Sequence, residues 1–425
     1  MGGSARGFLK TGGKNGAARV GLPDPPGCGL VGPMAVSKKV QEFMRSASWI
    51  RRMFEQGNLL KQKHGADAVF DFSLGNPDLP PPPEFTRALQ EVAAELPGRH
   101  RYMPNAGFPE TRAAIAARVA ASHGVDPGPN GVIMAVGAAG ALNSVLKALL
   151  DPGSEVIVFV PFFPEYRFYV DNHGGVLVPV PTTPEFDLDL EALARALTPR
   201  TRAIIVNTPN NPTGRIYPRA TLQALGRLVD ERAPEATLLV DEPYRRIVYD
   251  GHEVASLLQA TRRSVLCTSF SKDLGLAGER IGFVAAHPEH PEREALLNGT
   301  IFATRTLGFV NAPALMQRVL ARLPDVSVEV EVYARRRRLF LDGLREAGYQ
   351  CVVPEGSFYL FPRAPIQDDV RFVQELLEER ILVVPGTGFD LPGHFRISYA
   401  VPTETIPRAL PGFRRVLERL RSAGA

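Results

Sequence analysis

From residue 37 the stretch "SKKVQEFMRSASWIRRMFEQGNLLKQKHG" places apolar residues at helical spacing, which predicts one or two amphipathic helices. A short strand follows in "VFDFSLGNPDLPPPPEF" and runs into a proline-stiffened turn. Between about 108 and 315, apolar runs of strand length recur: "GVIMAV", "EVIVFV", "GVLVPV", "RAIIVN", "TLLVDE", "SVLCTS" and "RIGFVAA". Helix-period segments alternate with them, among them "GALNSVLKALLDPG", "LDLEALARAL" and "PRATLQALGRLVDERA". That alternation predicts an α/β fold: a mainly parallel seven-stranded sheet covered by helices on both faces. After about 325 the pattern becomes a long helix, "YQCVVPEGSFYLFP", a helix, "RILVVPG", "HFRISYAV" and a terminal helix. The expectation is a large domain, 76–320, and a smaller α+β domain assembled from both chain ends, 34–75 and 321–425.

Composition adds limits. The 425 residues are 44% hydrophobic and 22% charged, ordinary for a globular protein, and the formal charge of +4 is too small for this length to imply nucleic acid. The charge run Arg335–Arg338 falls in the long helix and reads as a solvated face or an inter-element salt-bridge site. Cys28, Cys267 and Cys351 follow neither a disulfide nor a metal-ligand spacing, so no metal is expected and a reducing, cytoplasmic setting is. No run approaches the roughly 18 apolar residues needed to cross a bilayer. Residues 1–33 are rich in Gly and Pro and are expected to be a disordered tail, with Met34 as an alternative start.

Ligands of open parallel sheets bind outside the carboxyl ends of the strands. "GVIMAV" is followed there by "GAAGAL", a small-residue turn whose backbone N–H groups could hold a phosphate. "EVIVFV" leads to "PFFPEY", where Phe162 or Phe163 offers an aromatic face, and "RAIIVN" leads to "TPNNPTG" with Asn211. "TLLV" leads to "DEPY", a carboxylate and a phenol three apart, and "SVLCT" to "SFSK", with Arg280 eight residues beyond Lys272. Taken singly, each has a structural explanation: a helix start, a core ring, a turn amide, a cap, a solvated lysine. Falling at the same end of successive strands, they point to one crevice.

In that order, "GxxxAL … NNPTG … DEPY … SFSK … Arg", the chain resembles the fold type I pyridoxal 5′-phosphate enzymes, in particular the class I/II aminotransferases, an aspartate aminotransferase-like fold. "SLGNPD", "RYMPNAGFPETRAAIA" and "HFRISYA" extend the resemblance over about 40–420. It implies that Lys272 forms the Schiff base with the cofactor aldehyde and then moves a proton between Cα and the cofactor. A lysine can do this only with a lowered pKa. It implies that Asp241 pairs with the pyridinium nitrogen, that Tyr244 and Asn211 meet the ring's phenolic oxygen, and that Phe163 stacks on the ring, with Phe162 the competing choice. Backbone groups of Gly137, Ala138 and Ala139, with Ser269 and Arg280, would take the phosphate; many relatives carry a hydroxyl or lysine side chain where Ala138 and Ala139 stand. Arg396 would clamp the substrate α-carboxylate, helped by Gly75 and Asn211. Tyr102 would reach a partner's cofactor phosphate, which implies a homodimer with shared active sites.

The function implied is transamination between an L-amino acid and a 2-oxo acid, with glutamate and 2-oxoglutarate as one pair. The same residues would serve a β-lyase, decarboxylase, racemase or oxidase of this fold. A reading from another class, a non-catalytic regulatory protein with an aminotransferase-like domain, would need a DNA-binding module of about 60 residues that the stretch before Met34 does not supply. Arg305 in "FATRTLGF" is a candidate second cation for an acidic side chain; the competing reading, adopted here, is that it only ties an interface together. Arg305→Ala is then expected to lower aspartate, glutamate and alanine turnover alike. A loss confined to the acidic substrates would assign it to a distal carboxylate.

Overall fold

A computed structural model describes residues 35–46, 49–95 and 100–422. The expected tail 1–33, Cys28 and Met34 lie outside the described residues. The chain divides between Ala47 and Ser48 into two compact units. The first contributes helix α1 (Lys38–Ser46), an amphipathic helix with Val40 and Met44 exposed.

The second unit holds the remaining helices: α2 (Trp49–His64), α3 (Pro83–Ala94), α4 (Pro109–His123), α5 (Gly137–Leu149), α6 (Glu165–Asp171), α7 (Leu190–Ala196), α8 (Arg219–Arg232), α9 (Arg293–Thr306), α10 (Ala314–Arg322), α11 (Val330–Ala347), α12 (Asp369–Glu378) and α13 (Thr405–Ser422). Its strands are β1 (Phe70–Asp71), β2 (Val132–Ala135), β3 (Glu155–Val160), β4 (Val176–Pro181), β5 (Thr201–Asn207), β6 (Thr237–Asp241), β7 (Ser264–Ser269), β8 (Gly282–Ala286), β9 (Tyr359–Leu360), β10 (Ile381–Leu382), β11 (Val384–Pro385) and β12 (Phe395–Ser398).

The seven runs read from the sequence are the seven strands of one sheet, ordered β2-β8-β7-β6-β5-β3-β4. All neighbours are parallel except β8, which is antiparallel to β2 and β7. Central strands covered on both faces need apolar residues at every position, and β6 and β7 are buried throughout. At the edge, β4 tolerates Pro179 and Pro181 because one side of its ladder has no partner. Alternate residues feed separate cores. Ile157, Ile204 and Leu238 pack with α4, α8 and α10, while Val156, Ala203 and Leu239 pack with α5 and α9. Each such Leu or Ile contributes on the order of 2 kcal/mol of burial.

A further core joins Met53 and Phe72 to Phe340, Phe358, Phe395 and Phe413. There β1 pairs in parallel with β10, and β11-β12-β9 form an antiparallel sheet. The late run "HFRISYA" thus becomes β12 at the centre of a small sheet, one face of which looks back toward the ends of the large one.

The arginine run divides between the two readings open to it. Arg335 and Arg338 are exposed, but Arg336 and Arg337 are buried, at 4% and 3% exposure. Arg336 donates from both terminal nitrogens to the two carboxylate oxygens of Asp78, each at 2.8 Å, and from Nε to Thr403 at 3.1 Å. Arg337 reaches the Pro354 carbonyl at 2.7 Å and Asp250 at 2.5 Å. Arg336 is buried while the Asp78 side chain keeps 24% exposure, so removing the carboxylate leaves the buried guanidinium without its charged partner. Asp78→Ala is therefore expected to cost roughly 3 kcal/mol, read as a lowered urea midpoint at unchanged slope. A loss below about 1 kcal/mol would mean that water replaces the carboxylate.

Candidate active site

β5 and β6 end in register, with Asn207 opposite Asp241; Asp241 pairs with Cys267, and β7 runs two residues further to Ser269, opposite Gly282 of β8. Asn207, Asp241 and Ser269 line a cavity of about 320 Å³. The turn after β7 brings in Lys272, and the connection from β3 to α6 brings in Phe163. From the smaller sheet come Tyr359 on β9 and Arg396 on β12, and from the loop after β1 comes Gly75.

Asp241 is 6% exposed. Its Oδ2 accepts from the Tyr166 hydroxyl, while Asn207 Nδ2 donates to its backbone carbonyl at 2.9 Å and lies 3.5 Å from Oδ2. Oδ1 is buried and has no hydrogen-bond partner. Burial pushes the carboxyl up to about 7; the Tyr166 hydrogen bond opposes that rise and the neighbouring Glu242 charge adds to it.

Lys272 Nζ donates to the Gly75 carbonyl at 2.6 Å and lies 5.6 Å from the centre of the Phe358 ring. Burial, and then repulsion from Arg396 and Arg280, lowers the ammonium to about 8. This amine loses its proton at far less cost than a solvated lysine would.

Arg396 is 1% exposed. Its Nη1 donates to Asn211 Oδ1 at 3.1 Å and its Nη2 to the Ser73 carbonyl at 2.6 Å, while Nε has no partner. The guanidinium lies 4.5 Å from the Tyr359 ring centre and 5.0 Å from that of Phe389. Tyr359 and Tyr244 share a hydrogen bond of 2.9 Å. Gly75 is required by space: a Cβ there would fall 1.8 Å from the Tyr359 hydroxyl.

At the start of α5, Gly137 has φ +68°, and a Cβ on it would lie 3.0 Å from Arg280 Nη2. Ala138, Ala139, Ser269 and Arg280 line the same end of the cavity. N–H groups at a helix start, a hydroxyl and a guanidinium make an anion-binding corner.

Most residues singled out in the sequence therefore come together. Gly75, Ala138, Ala139, Phe163, Asn211, Asp241, Tyr244, Ser269, Lys272, Arg280 and Arg396 line the cavity, and Gly137 lies beneath Arg280. Phe162 instead packs in the core behind it. Tyr102 does not line the cavity and is 91% exposed. Arg305 is exposed on α9, with its guanidinium 5.3 Å from the ring centre of Phe302. Tyr166, Asn207, Tyr169, Ser271 and Tyr359 were missed. The signal for Asn207 was its place as the last residue of a strand; for Tyr166, its place as the second residue of the helix that "PFFPEY" begins.

A family model, Aminotransferase class I and II, matches residues 67–413. The aspartate/prephenate aminotransferase of Thermus thermophilus is 37% identical over 364 residues, covering 84% of this chain and 93% of that protein. Aromatic-amino-acid aminotransferase 2 of Thermococcus litoralis is 32% identical over 399 residues, covering 91% and 99%. Among solved structures, an amino transferase from Eubacterium rectale superposes with a TM-score of 0.87 at 35% identity, covering 91% of this chain and 99% of that one. The aspartate aminotransferase of Thermus thermophilus with maleate gives 0.81 at 34%, covering 90% and 100%.

The two shifted groups act on stability with opposite signs. Asp241 is raised from 3.8 to about 7, so the folded chain binds more protons than the unfolded chain between those values, and stability falls as pH rises through them. Lys272 is lowered from 10.5 to about 8, so its penalty is full below 8 and is relieved as pH rises toward 10.5. In ligand-free protein, Asp241→Asn is expected to raise stability at pH 8 by on the order of 4 kcal/mol. The gain should vanish near pH 4. Thermal unfolding across that range checks it, and a gain that grows toward acid would contradict the assignment.

Proposed function

Since the chain belongs to the class I and II aminotransferases and is a transaminase, we propose that it works with pyridoxal 5′-phosphate, the cofactor its family implies, held in the cavity between Asp241, Lys272 and Arg280. The observation that carries this reading is the unpartnered, buried Oδ1 of Asp241 in the same cavity as Lys272 and the unpartnered Nε of Arg396. A buried acceptor without a donor costs stability unless a ligand supplies one, and a protonated ring nitrogen is such a donor. The anion-binding corner at Gly137, Ala138, Ala139, Ser269 and Arg280 suits the phosphate, so the residues fit the group.

When bound, the cofactor supplies an aldehyde that exchanges with amines and a ring that accepts the electron pair left at Cα. The chain supplies the rest. Asp241 would hold the proton on the ring nitrogen, Phe163 would cover one ring face, and Tyr244 and Asn211 would meet the phenolic oxygen. Lys272 would take the proton from the substrate Cα and deliver it to the cofactor carbon that carried the aldehyde. Arg396 orients the α-carboxylate, with the Gly75 backbone and Asn211 beside it.

We assign glutamate and 2-oxoglutarate to one half-reaction. Relatives named for aspartate and prephenate and for aromatic amino acids support an acidic or aromatic amino acid for the other. The two-domain division at 75 and 320 is supported by the separate apolar cores. A homodimer, with Tyr102 entering the partner's site, is in keeping with the exposure of Tyr102 and Phe302. No described helix is long and apolar enough to cross a membrane; the free thiols Cys267 and Cys351 are in keeping with a cytoplasmic setting.

The test is an absorbance spectrum of the purified protein before and after single L-amino acids are added without an acceptor. A visible band that bleaches to one near about 330 nm is expected, and the amino acid that bleaches it is the donor. Release of ammonia or pyruvate instead would overturn the reading. Lys272→Ala is expected to lose turnover by about 1,000-fold or more. Arg396→Ala is expected to raise KM for every amino acid by roughly 30-fold or more, and an unchanged KM would remove Arg396 from the substrate site.

A further inference from the structure

Asp241 and Lys272 line the cavity described above, and the residue after each, Glu242 and Asp273, lines a second cavity of about 500 Å³. Pro243 and Ser269 line both. We propose that this second cavity is a binding site for a small organic cation, an ammonium or guanidinium compound, which donates to Glu242 and Asp273. Neither carboxylate lines the cofactor cavity, so this second site is independent of the cofactor reading.

The cavity lies between α4, which contributes Ala117, Arg118 and Ala121, and the ends of β6 and β7; Asp325, on the connection from α10 to α11, also lines it. The three arginines around it already have partners within the chain. Arg118 donates to the Leu320 and Leu323 carbonyls. Arg245 donates to Glu242 Oε2 at 3.0 Å and to the carbonyls of Ser122 and Val254, and Arg246 to Asp325 at 2.5 Å and to the Val326 carbonyl at 3.0 Å. His123 is lowered to about 3 by burial and then by Arg245, so it brings no charge. Among the described residues lining the cavity, two buried polar side-chain atoms have no partner, and both are acceptors: Oε1 of Glu242, a residue 2% exposed, and Oδ1 of Asp273. Burial pushes Asp273 up to about 6 against the pull of Arg246 and Arg118, and raises Glu242 against that of Arg245. What the cavity lacks is positive charge that can also donate, and a guanidinium or ammonium brings both. The Asp273 carbonyl accepts from Val328 N at 2.7 Å and from Ser327 Oγ at 3.0 Å. A ligand on Asp273 therefore engages both the turn that carries Lys272 and the connection that enters α11.

The probe is methylguanidinium chloride, which stays cationic between about pH 5 and pH 8. Calorimetric titration into the full-length chain as purified gives its dissociation constant, and amide hydrogen exchange locates it. Binding is expected to slow exchange in 269–274 and 325–328. It should weaken about tenfold from pH 8 to pH 5, as Asp273 takes up a proton through about 6. Asp273→Asn should weaken it about tenfold or more. Ala121→Phe, at an exposed position on the cavity's edge, should leave the fold intact and block the probe. Glu242 is kept, because it also pairs with Arg245. Exchange that is unchanged in those segments, or slowed equally by potassium chloride, would overturn the proposal. So would affinity that both Asp273→Asn and Ala121→Phe leave unaltered. A chain that binds the probe in this way yet takes up no pyridoxal 5′-phosphate would overturn the cofactor reading and support the second site.

Discussion

Taking a carboxylate and an ammonium out of water at the ends of adjacent strands is the constraint on which the rest of this structure depends. Asp241 and Lys272 are useful because burial moves their proton affinities toward each other, to about 7 and about 8. A sheet buried on both faces provides the dry setting, and the period of the strand separates the charges. Asp241 faces the cavity, while the next residue, Glu242, turns away to Arg245 at 3.0 Å and His123 at 3.5 Å. Burial and the nearby Arg245 lower His123 to about 3, so it stays neutral there. Two carboxylates one residue apart thus have different partners: Glu242 is ion-paired to Arg245, while Asp241 meets only the neutral donors of Tyr166 and Asn207 and lines the cavity.

The second half of the site comes from a different core, and polar contacts join the two. Tyr244 meets Tyr359, Asn211 meets Arg396, and Lys272 meets the Gly75 carbonyl. Each contact pairs a residue at the end of the large sheet with one carried by β9, β12 or the loop after β1. Misplacement of the smaller sheet would therefore disturb Lys272 and Arg396 together. The bidentate Arg336–Asp78 pair ties α11 to the loop that follows Gly75.

The large sheet was legible because interior parallel strands must be apolar almost without interruption, and each of the seven runs carries that mark. The site was legible in so far as its residues close those strands: Asp241, Ser269 and Lys272 follow apolar runs directly. Phe162 and Phe163 could not be separated by pattern, since both belong to one turn; the resemblance chose Phe163, and the structure puts it on the cavity wall with Phe162 in the core. Tyr166, Asn207 and Tyr359 were not legible because their importance lies in what they touch across the fold. Nothing local distinguishes a tyrosine that packs from one that also donates to a carboxylate. For Arg336 and Arg337, four consecutive arginines on a helix face every direction, and only the packing of α11 decides which two are buried.

The positive charges of the cavity also order events in the proposed reaction. Arg396 and Arg280 both depress the proton affinity of Lys272, and each lies where an anion is expected, a carboxylate at one and a phosphate at the other. An anion at Arg280 relieves part of that repulsion, and a carboxylate at Arg396 relieves more. Lys272 is thus readily deprotonated before the substrate carboxylate arrives, and once it has arrived the free amine has the higher proton affinity. That is the order proton abstraction at Cα requires: an amine neutral enough to react, made more basic by the group that positions the carbon it must deprotonate. A solvated lysine, without burial or cationic neighbours to lower it, would give up its proton far less readily. Burial together with the two arginines thus couples substrate recognition to the basicity of Lys272.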